Sequence, residues 1–327
     1  MILVTGGAGF IGSNIVAALC RRGVAVAVCD YLGEACKWKN LAKAELHDVV
    51  HPGEMETWLE RHAQALDTVI HMGAISATDA TDGDLVVHTN FGLPWLLWQW
   101  CARHGKRFVY ASSAATYGAG EQGYDDDGSP AALARLRPLN LYGWSKHLFD
   151  RRVVRAVADR EKLPAQWAGL KFFNVYGPNE YHKGSMQSVI AKTFVTAARG
   201  DEVVLFKSHR AGILDGEQKR DFVYVGDCVD VLLWLLDHPS VNGLFNVGTG
   251  EARSFADLIR ALFAALGRPT RIGYREMPET LRDHYQYFTQ ARMGRLREAG
   301  FTQPFTSVEE GVQVYVQHYL SQPDRYR

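Results

Sequence analysis

Ile2-Leu3-Val4-Thr5-Gly6-Gly7-Ala8-Gly9-Phe10-Ile11-Gly12 stands at the head of the chain, and its reading decides the fold. Ile2 to Thr5 is a short apolar run, glycines interrupt it, and Phe10 to Cys20 then carries apolar residues on one helical face. The pattern is strand, turn, helix. Gly6, Gly9 and Gly12 are spaced for a backbone that turns tightly, approaches a pyrophosphate and brings helix against strand. The start of such a helix offers free N–H groups and partial positive charge to phosphate oxygens. A plain tight turn is the alternative, and the strand-turn-helix context favours a dinucleotide site.

Further strands are expected at Val24 to Cys29, ending at Asp30, at Thr68 to His71, at Arg107 to Ser112 and at Gln166 to Phe173. Helical segments at 54–63, 84–104 and 139–162 lie between them. Such alternation predicts right-handed crossovers and an α/β fold, a Rossmann doubly wound parallel sheet. It extends over 1–176, with strand and helix returns near 222–250. Residues 177–327 form mainly a smaller, mixed α/β substrate-binding lobe, with a helix from about Ser185 to Arg199.

The chain has 327 residues, 47% of them hydrophobic, and 36 basic against 36 acidic side chains, a formal net charge of zero. That balance gives no reason to expect a nucleic-acid partner. Apolar runs such as Val231 to Leu236 are far shorter than the roughly 18 residues a membrane span needs, so no membrane partner is expected. Cys20, Cys29, Cys36, Cys101 and Cys228 are odd in number and show no C-x-x-C spacing, which favours structural burial over metal or redox work. No metal is expected. The sequence opens without a basic and apolar leader, and a cytoplasmic location is expected. The bulky stretch Leu93 to Trp100 reads mostly as core, with subunit contact as its alternative.

Asp30 ends the second strand, where a carboxylate can accept hydrogen bonds from an adenosine ribose, which favours NAD. Lys37 follows within one loop and suits a 2′-phosphate, which favours NADP; it can equally be one of several solvated lysines beside Lys39 and Lys43. Tyr142-Gly143-Trp144-Ser145-Lys146 puts a phenol and an ammonium on one helix face. A neighbouring cation and an oxidised nicotinamide both favour the phenolate, which could take a proton from an alcohol. Ser112-Ser113 ends a strand, where a hydroxyl can hydrogen-bond the reacting oxygen.

The runs TGGAGFIG, YASSAATYG and YGWSK resemble the extended short-chain dehydrogenase/reductase superfamily over essentially the whole chain. Phe173 to Pro178, His182-Lys183-Gly184-Ser185-Met186, Lys219 to Val225 and Tyr285 to Gln290 are together similar to the ADP-L-glycero-D-manno-heptose 6-epimerases. That resemblance implies epimerisation at C6″ of ADP-D-glycero-D-manno-heptose, by transient oxidation to a ketone, for the heptose of lipopolysaccharide. It implies NADP as cofactor, with NAD as the alternative, and a proton-transfer pair of Tyr142 and Lys183, completed by Ser113 and Lys146. The alternative role for Lys183 is a pyrophosphate ligand. It further implies that Phe10, Ile11, Tyr31, Met72, Gly73, Ala74, Ile75, Ser76, Thr89, Val175 and Lys183 adjoin the cofactor. Ser113, Asn174, Ser185, Lys192, Phe206, Lys207, Ser208, His209, Arg220 and Tyr285 match substrate-contacting positions. A homo-oligomer is expected.

A sugar-nucleotide dehydratase would need an acidic group beside the strand-end hydroxyl, and Ala114-Ala115-Thr116 stands there instead. A UDP-hexose 4-epimerase is the nearer rival, separated by the lysine of H-K-G-S-M. A cofactor-binding protein without catalysis is a third reading, against which both Tyr142 and Lys146 are present.

Overall fold

The computed structural model describes residues 1–282 and 285–327. In chain order β1 (Ile2–Thr5), α1 (Phe10–Arg21), β2 (Val26–Cys29), β3 (Asp48–Val50), α2 (Met55–Arg61), β4 (Thr68–His71), α3 (Gly83–Val87), α4 (Leu93–His104), β5 (Arg107–Ser113), α5 (Pro130–Arg135), α6 (Leu141–Ala158) and β6 (Gln166–Phe172) are followed by a looser half. That half holds β7 (Asn174–Tyr176), α7 (Val189–Arg199), β8 (Val203–Phe206), β9 (Lys219–Tyr224), α8 (Val225–Asp237), β10 (Gly243–Val247), β11 (Ala252–Ser254), α9 (Phe255–Ala265) and β12 (Ile272–Arg275). The strands of the central sheet run β10-β6-β5-β4-β1-β2-β3, all parallel. This is the doubly wound α/β sheet expected from the alternation, and its order reverses between β1 and β4. Ligands of such sheets sit in the crevice beyond the strand ends at that reversal.

One face of the sheet buries Leu97, Trp98 and Trp100 of α4 with Phe108, Tyr110, Phe149 and Trp167. The other buries Ile15, Val16 and Leu19 of α1 against Val229, Leu232 and Leu235 of α8. The tryptophan-rich segment is therefore largely core. A third apolar cluster, with Ile190, Leu258, Ile259, Leu262 and Phe263, lies in the second half. Among the described residues no helix is long and apolar enough to cross a membrane.

Several elements depart from the sequence pattern. The helix expected over 84–104 is broken by a π-turn at His88–Gly92. There Asn90 turns inward and holds the backbone of Ile75 through its N–H and its carbonyl, both at 2.9 Å. Insertions of this kind are common where a helix must aim one side chain at a functional loop. The helix expected from Ser185 begins only at Val189, where Ser188 caps it by accepting from the Ala191 N–H. The preceding Tyr181–Met186 is a 3-10 turn kinked at Gly184, whose φ is 52°. Phe222 to Leu236 is strand then helix, and its strand, β9, pairs with β7 and β11 in a separate three-stranded sheet; Gly243–Val247 joins the central sheet beside β6.

Candidate active site

Gly6 takes φ 65°, and a Cβ there would stand 2.5 Å from the Gly73 nitrogen, so the loops after β1 and β4 can come this close only because residue 6 is glycine. Gly9 caps α1 with no side chain, and the first turn holds no acidic residue, leaving its N–H groups to an incoming anion. Asp30 Oδ2 accepts from the Ala8 N–H at 2.9 Å, and Oδ1 accepts from Lys37 Nζ at 2.6 Å. Lys37 also donates to the Tyr31 carbonyl at 2.7 Å. A carboxylate keeps further lone pairs beyond these two bonds, enough for ribose hydroxyls.

These groups open on one cavity of about 540 Å³ along the carboxyl ends of β1, β4 and β5. Its walls include Gly6, Gly9, Phe10, Ile11 and Gly12, then Asp30 and Lys37, and the Met72-Gly73-Ala74-Ile75-Ser76 loop. Ser113, Tyr142, Lys146, Val175 and Lys183 close the far end. A long groove with an uncapped helix start, a glycine cradle and a ribose-facing carboxylate fits a dinucleotide.

The reacting end is built by close helix approach. Asn140 caps α6 by accepting from the Gly143 N–H at 2.8 Å, and a Cβ on Gly143 would lie 2.7 Å from the Ala115 carbonyl. That contact sets Tyr142 and Ser113 on the wall of the same cavity. Ser113 Oγ also accepts from the Ala115 N–H at 3.1 Å. One turn on, Lys146 donates to the Ala111 carbonyl at 2.8 Å. Burial pulls the Lys146 ammonium down to about 8, against the opposing charge of Asp150. Burial also pushes the Tyr142 phenol up, with the Ser113 hydroxyl opposing and Asp150 adding to the rise. In the protein alone, then, the phenol is harder to ionise than in water.

Lys183 rides on the 3-10 turn, its ammonium 5.4 Å from the Phe10 ring centre. Burial lowers it, Glu180 opposes and Lys192 adds to the fall. Lys183, Phe173, Val175 and Met186 also border a second cavity of about 260 Å³, lined further by Asn174, Gln187, Phe222 and Phe255. The lysine thus stands on the wall between a groove for a dinucleotide and a space for a second ligand.

The remaining substrate candidates are spread more widely. Arg220 is buried between the rings of Tyr285 at 5.2 Å and Phe255 at 5.6 Å, the latter a wall of the second cavity. Lys192 is exposed on α7, and partial desolvation still lowers its ammonium, with Glu180 opposing. Phe206 ends β8 and Lys207, Ser208 and His209 follow it: Lys207 and His209 lie against Glu276, and the Ser208 N–H bonds Asp215 at 2.7 Å. Neither this run nor Ser185 borders either cavity.

Tyr31 and Thr89 are placed apart from the groove. Tyr31 is 63% exposed, its ring packs edge-on to His51, and its carbonyl accepts from Lys37. Thr89 is not among the walls of the groove; its neighbour Asn90 is the residue of the π-turn that reaches the Ile75 backbone. Residues not anticipated as groove walls also line it: Phe172, Phe173, His182 and Met186, while Ser112, read from the sequence together with Ser113, does so as expected. His182 and Met186 sat inside the H-K-G-S-M run, so the motif carried the signal.

A cavity built this way, with a phenol, a hydroxyl and two lysines lining one groove of a size for a dinucleotide, fits a sugar-nucleotide epimerase of the short-chain dehydrogenase type. The chain belongs to the family described as NAD dependent epimerase/dehydratase, which it matches over residues 2–248. It is 46% identical to an ADP-L-glycero-D-manno-heptose-6-epimerase of Fusobacterium nucleatum, over 100% of both chains. Among solved structures it resembles the Helicobacter pylori ADP-L-glycero-D-manno-heptose-6-epimerase, with TM-score 0.79, 28% identity and coverage of 97% of this chain and 95% of that one. A UDP-glucose 4-epimerase of Thermus thermophilus, solved with NAD, superposes with TM-score 0.76 at 28% identity over 97% and 98% of the two chains.

Proposed function

We propose that the protein epimerises ADP-D-glycero-D-manno-heptose at C6″, through a transient ketone, to supply the L-glycero isomer for the lipopolysaccharide core. The observation that carries this reading is that Tyr142 and Lys183, on different elements, line one end of the same groove. A carbinol carbon without an activating neighbour does not give up its hydrogen as a proton, so inversion requires oxidation and re-reduction. When bound, a nicotinamide supplies that reversible exchange of hydrogen with its electron pair. Tyr142 takes the proton from the hydroxyl of one epimer while Ser113 hydrogen-bonds the same oxygen. Lys183 serves the other epimer, whose hydroxyl is offered from a different direction, and burial of its ammonium makes proton release easier. Lys146 holds the nicotinamide ribose. Arg220 with Tyr285 suits the pyrophosphate of the substrate.

The cofactor is NADP on this reading. Lys37 can swing from Asp30 to a 2′-phosphate, and His182 lines the groove within the field of both. The protein acts in the cytoplasm as a homo-oligomer. The test is incubation with each ADP-heptose epimer, and interconversion without net change in cofactor redox state is expected. Tyr142→Phe and Lys183→Met each lower kcat by roughly 10²–10⁴-fold with an unchanged unfolding midpoint. Near-normal turnover in either variant removes that residue from its role. Faster turnover of UDP-glucose than of ADP-heptose transfers the reading to a 4-epimerase.

A further inference from the structure

The turn that presents Lys183 is not self-supporting. Asn179, at its start, is fully buried yet holds φ 73°, a left-handed conformation that costs a non-glycine residue on the order of 1 kcal/mol and persists only where its surroundings fix it. Three bonds fix it here. The Asn179 amide donates to Ser13 Oγ at 3.0 Å, its backbone carbonyl accepts from Asn40 Nδ2 at 3.0 Å, and its side-chain oxygen accepts from the Arg327 N–H at 3.0 Å. The last partner is remote in sequence and belongs to none of the elements that build the groove.

Asp324 to Arg327 lies across this region with a tie at each step. Asp324 pairs with Lys43 at 2.8 Å, and the same ammonium donates to the Tyr326 carbonyl at 2.7 Å. Tyr181, two residues before Lys183, donates its hydroxyl to the Arg325 carbonyl at 2.8 Å. The Arg325 guanidinium covers the Tyr181 ring at 4.4 Å and Tyr326 meets it edge-on at 5.3 Å. Arg327 Nη1 donates to Asn14 Oδ1 at 2.9 Å, and Asn14 in turn donates to the carbonyls of Phe10 and Pro178, both at 2.9 Å. The segment therefore binds together α1, the stretch around Lys43 and the turn at 178–183. Beneath the turn Glu180 receives the Ser188 and Gly177 N–H groups, and the Lys183 N–H bonds the Glu180 carbonyl at 3.0 Å.

We infer that Asp324–Arg327 is a strap that positions the Lys183 amine for proton transfer, with Tyr181, Asn179 and Arg327 as its positioning residues. The inference rests on the reading of Lys183 as an acid-base group. None of the strap residues borders the groove, so their effect on chemistry runs through the turn and through Asn14 of α1, which holds the Phe10 carbonyl. A strap of this kind holds the ammonium in its buried place over Phe10. Loosening it lets water reach the amine, and the amine then reverts toward an ordinary lysine.

The test uses full-length Tyr181→Phe/Arg327→Ala, with Lys183→Met as reference. Amide hydrogen exchange across 178–186 is expected to quicken by roughly tenfold, while that of β4 and β5 is unchanged. The kcat falls by about tenfold, and the pH limb that disappears in Lys183→Met moves upward toward the ordinary lysine range, with little change in KM. Unchanged exchange in the turn together with an unmoved limb overturns the strap. If Lys183→Met retains every limb of the wild-type profile, the acid-base reading of Lys183 fails, and the exchange result alone then decides whether the strap orders the turn. If the double variant is unstable, Lys43→Ala, which removes two ties at the exposed rim, is read for the same exchange, and no change there overturns the inference.

Discussion

Lys146 carries two demands of opposite sign. To hold ribose hydroxyls it must keep its ammonium, while its burial at the end of β5 draws it down to about 8. Below that pH the amine is charged and can donate to a ligand as well as to the Ala111 carbonyl; above it one charge is lost from the groove. The affinity of the free protein for its dinucleotide is therefore expected to weaken as pH rises through about 8, followed by fluorescence titration, and Lys146→Met should bind weakly with no such dependence. A flat wild-type profile would remove the ammonium from cofactor binding. The stability term runs the other way. Since the folded value lies below that of the unfolded chain, between about 8 and 10.5 the unfolded state holds the extra proton, and stability contributed by this group rises with pH. At this scale the sequence was legible where spacing fixes geometry, as for Tyr142 and Lys146 one helical turn apart. It was not legible for Asn90, because a π-turn shifts the phase of a helix without any mark in the hydrophobic pattern.

Among the elements, β9 shows how one side chain can secure several pieces of chain. Asp221 Oδ1 accepts from the Thr249 N–H at 2.7 Å and its hydroxyl at 2.8 Å, and Oδ2 accepts from the N–H groups of Gly250 and Ala291, both at 2.9 Å. It thereby ties β9, the turn after β10 and the chain that returns past Tyr285. Its neighbour Arg220 is the buried cation beside Tyr285. Asp221→Asn keeps the shape but gives one oxygen in place of two, leaving at least one buried N–H facing an amide nitrogen. A loss of about 1–3 kcal/mol in urea unfolding is expected for each such unpaired group, with a higher KM as Arg220 and Tyr285 lose register. Unchanged stability would show that the return segment is held by other contacts. The K-R-D-F run drew notice in the sequence for its resemblance, but the staple itself could not be read there, because its donors lie 28, 29 and 70 residues away. The short pair β8 and β12 escaped for a related reason: four-residue strands with exposed positions carry too little alternation to stand out.

Across the whole molecule the chain order and the spatial order disagree, and that disagreement has a thermodynamic consequence. The central sheet is completed on one edge by β10, from the second half, and one of its faces is covered by α8, from the same half. The dinucleotide groove likewise draws walls from Gly6 at one end of the chain and from Lys183 and Met186 beyond β7. Neither half can bury its apolar surface, or finish the groove, without the other. Unfolding should therefore occur in one cooperative transition, although the chain length alone would allow two. Saturating cofactor at about 100 times its Kd should raise that single transition as a unit, by roughly 2.7 kcal/mol of added stability. Calorimetry with and without the dinucleotide checks this. Two separate transitions, of which the ligand moves only the first, would mean that the lobes fold independently and that the crossing strand and helix contribute little to holding them together.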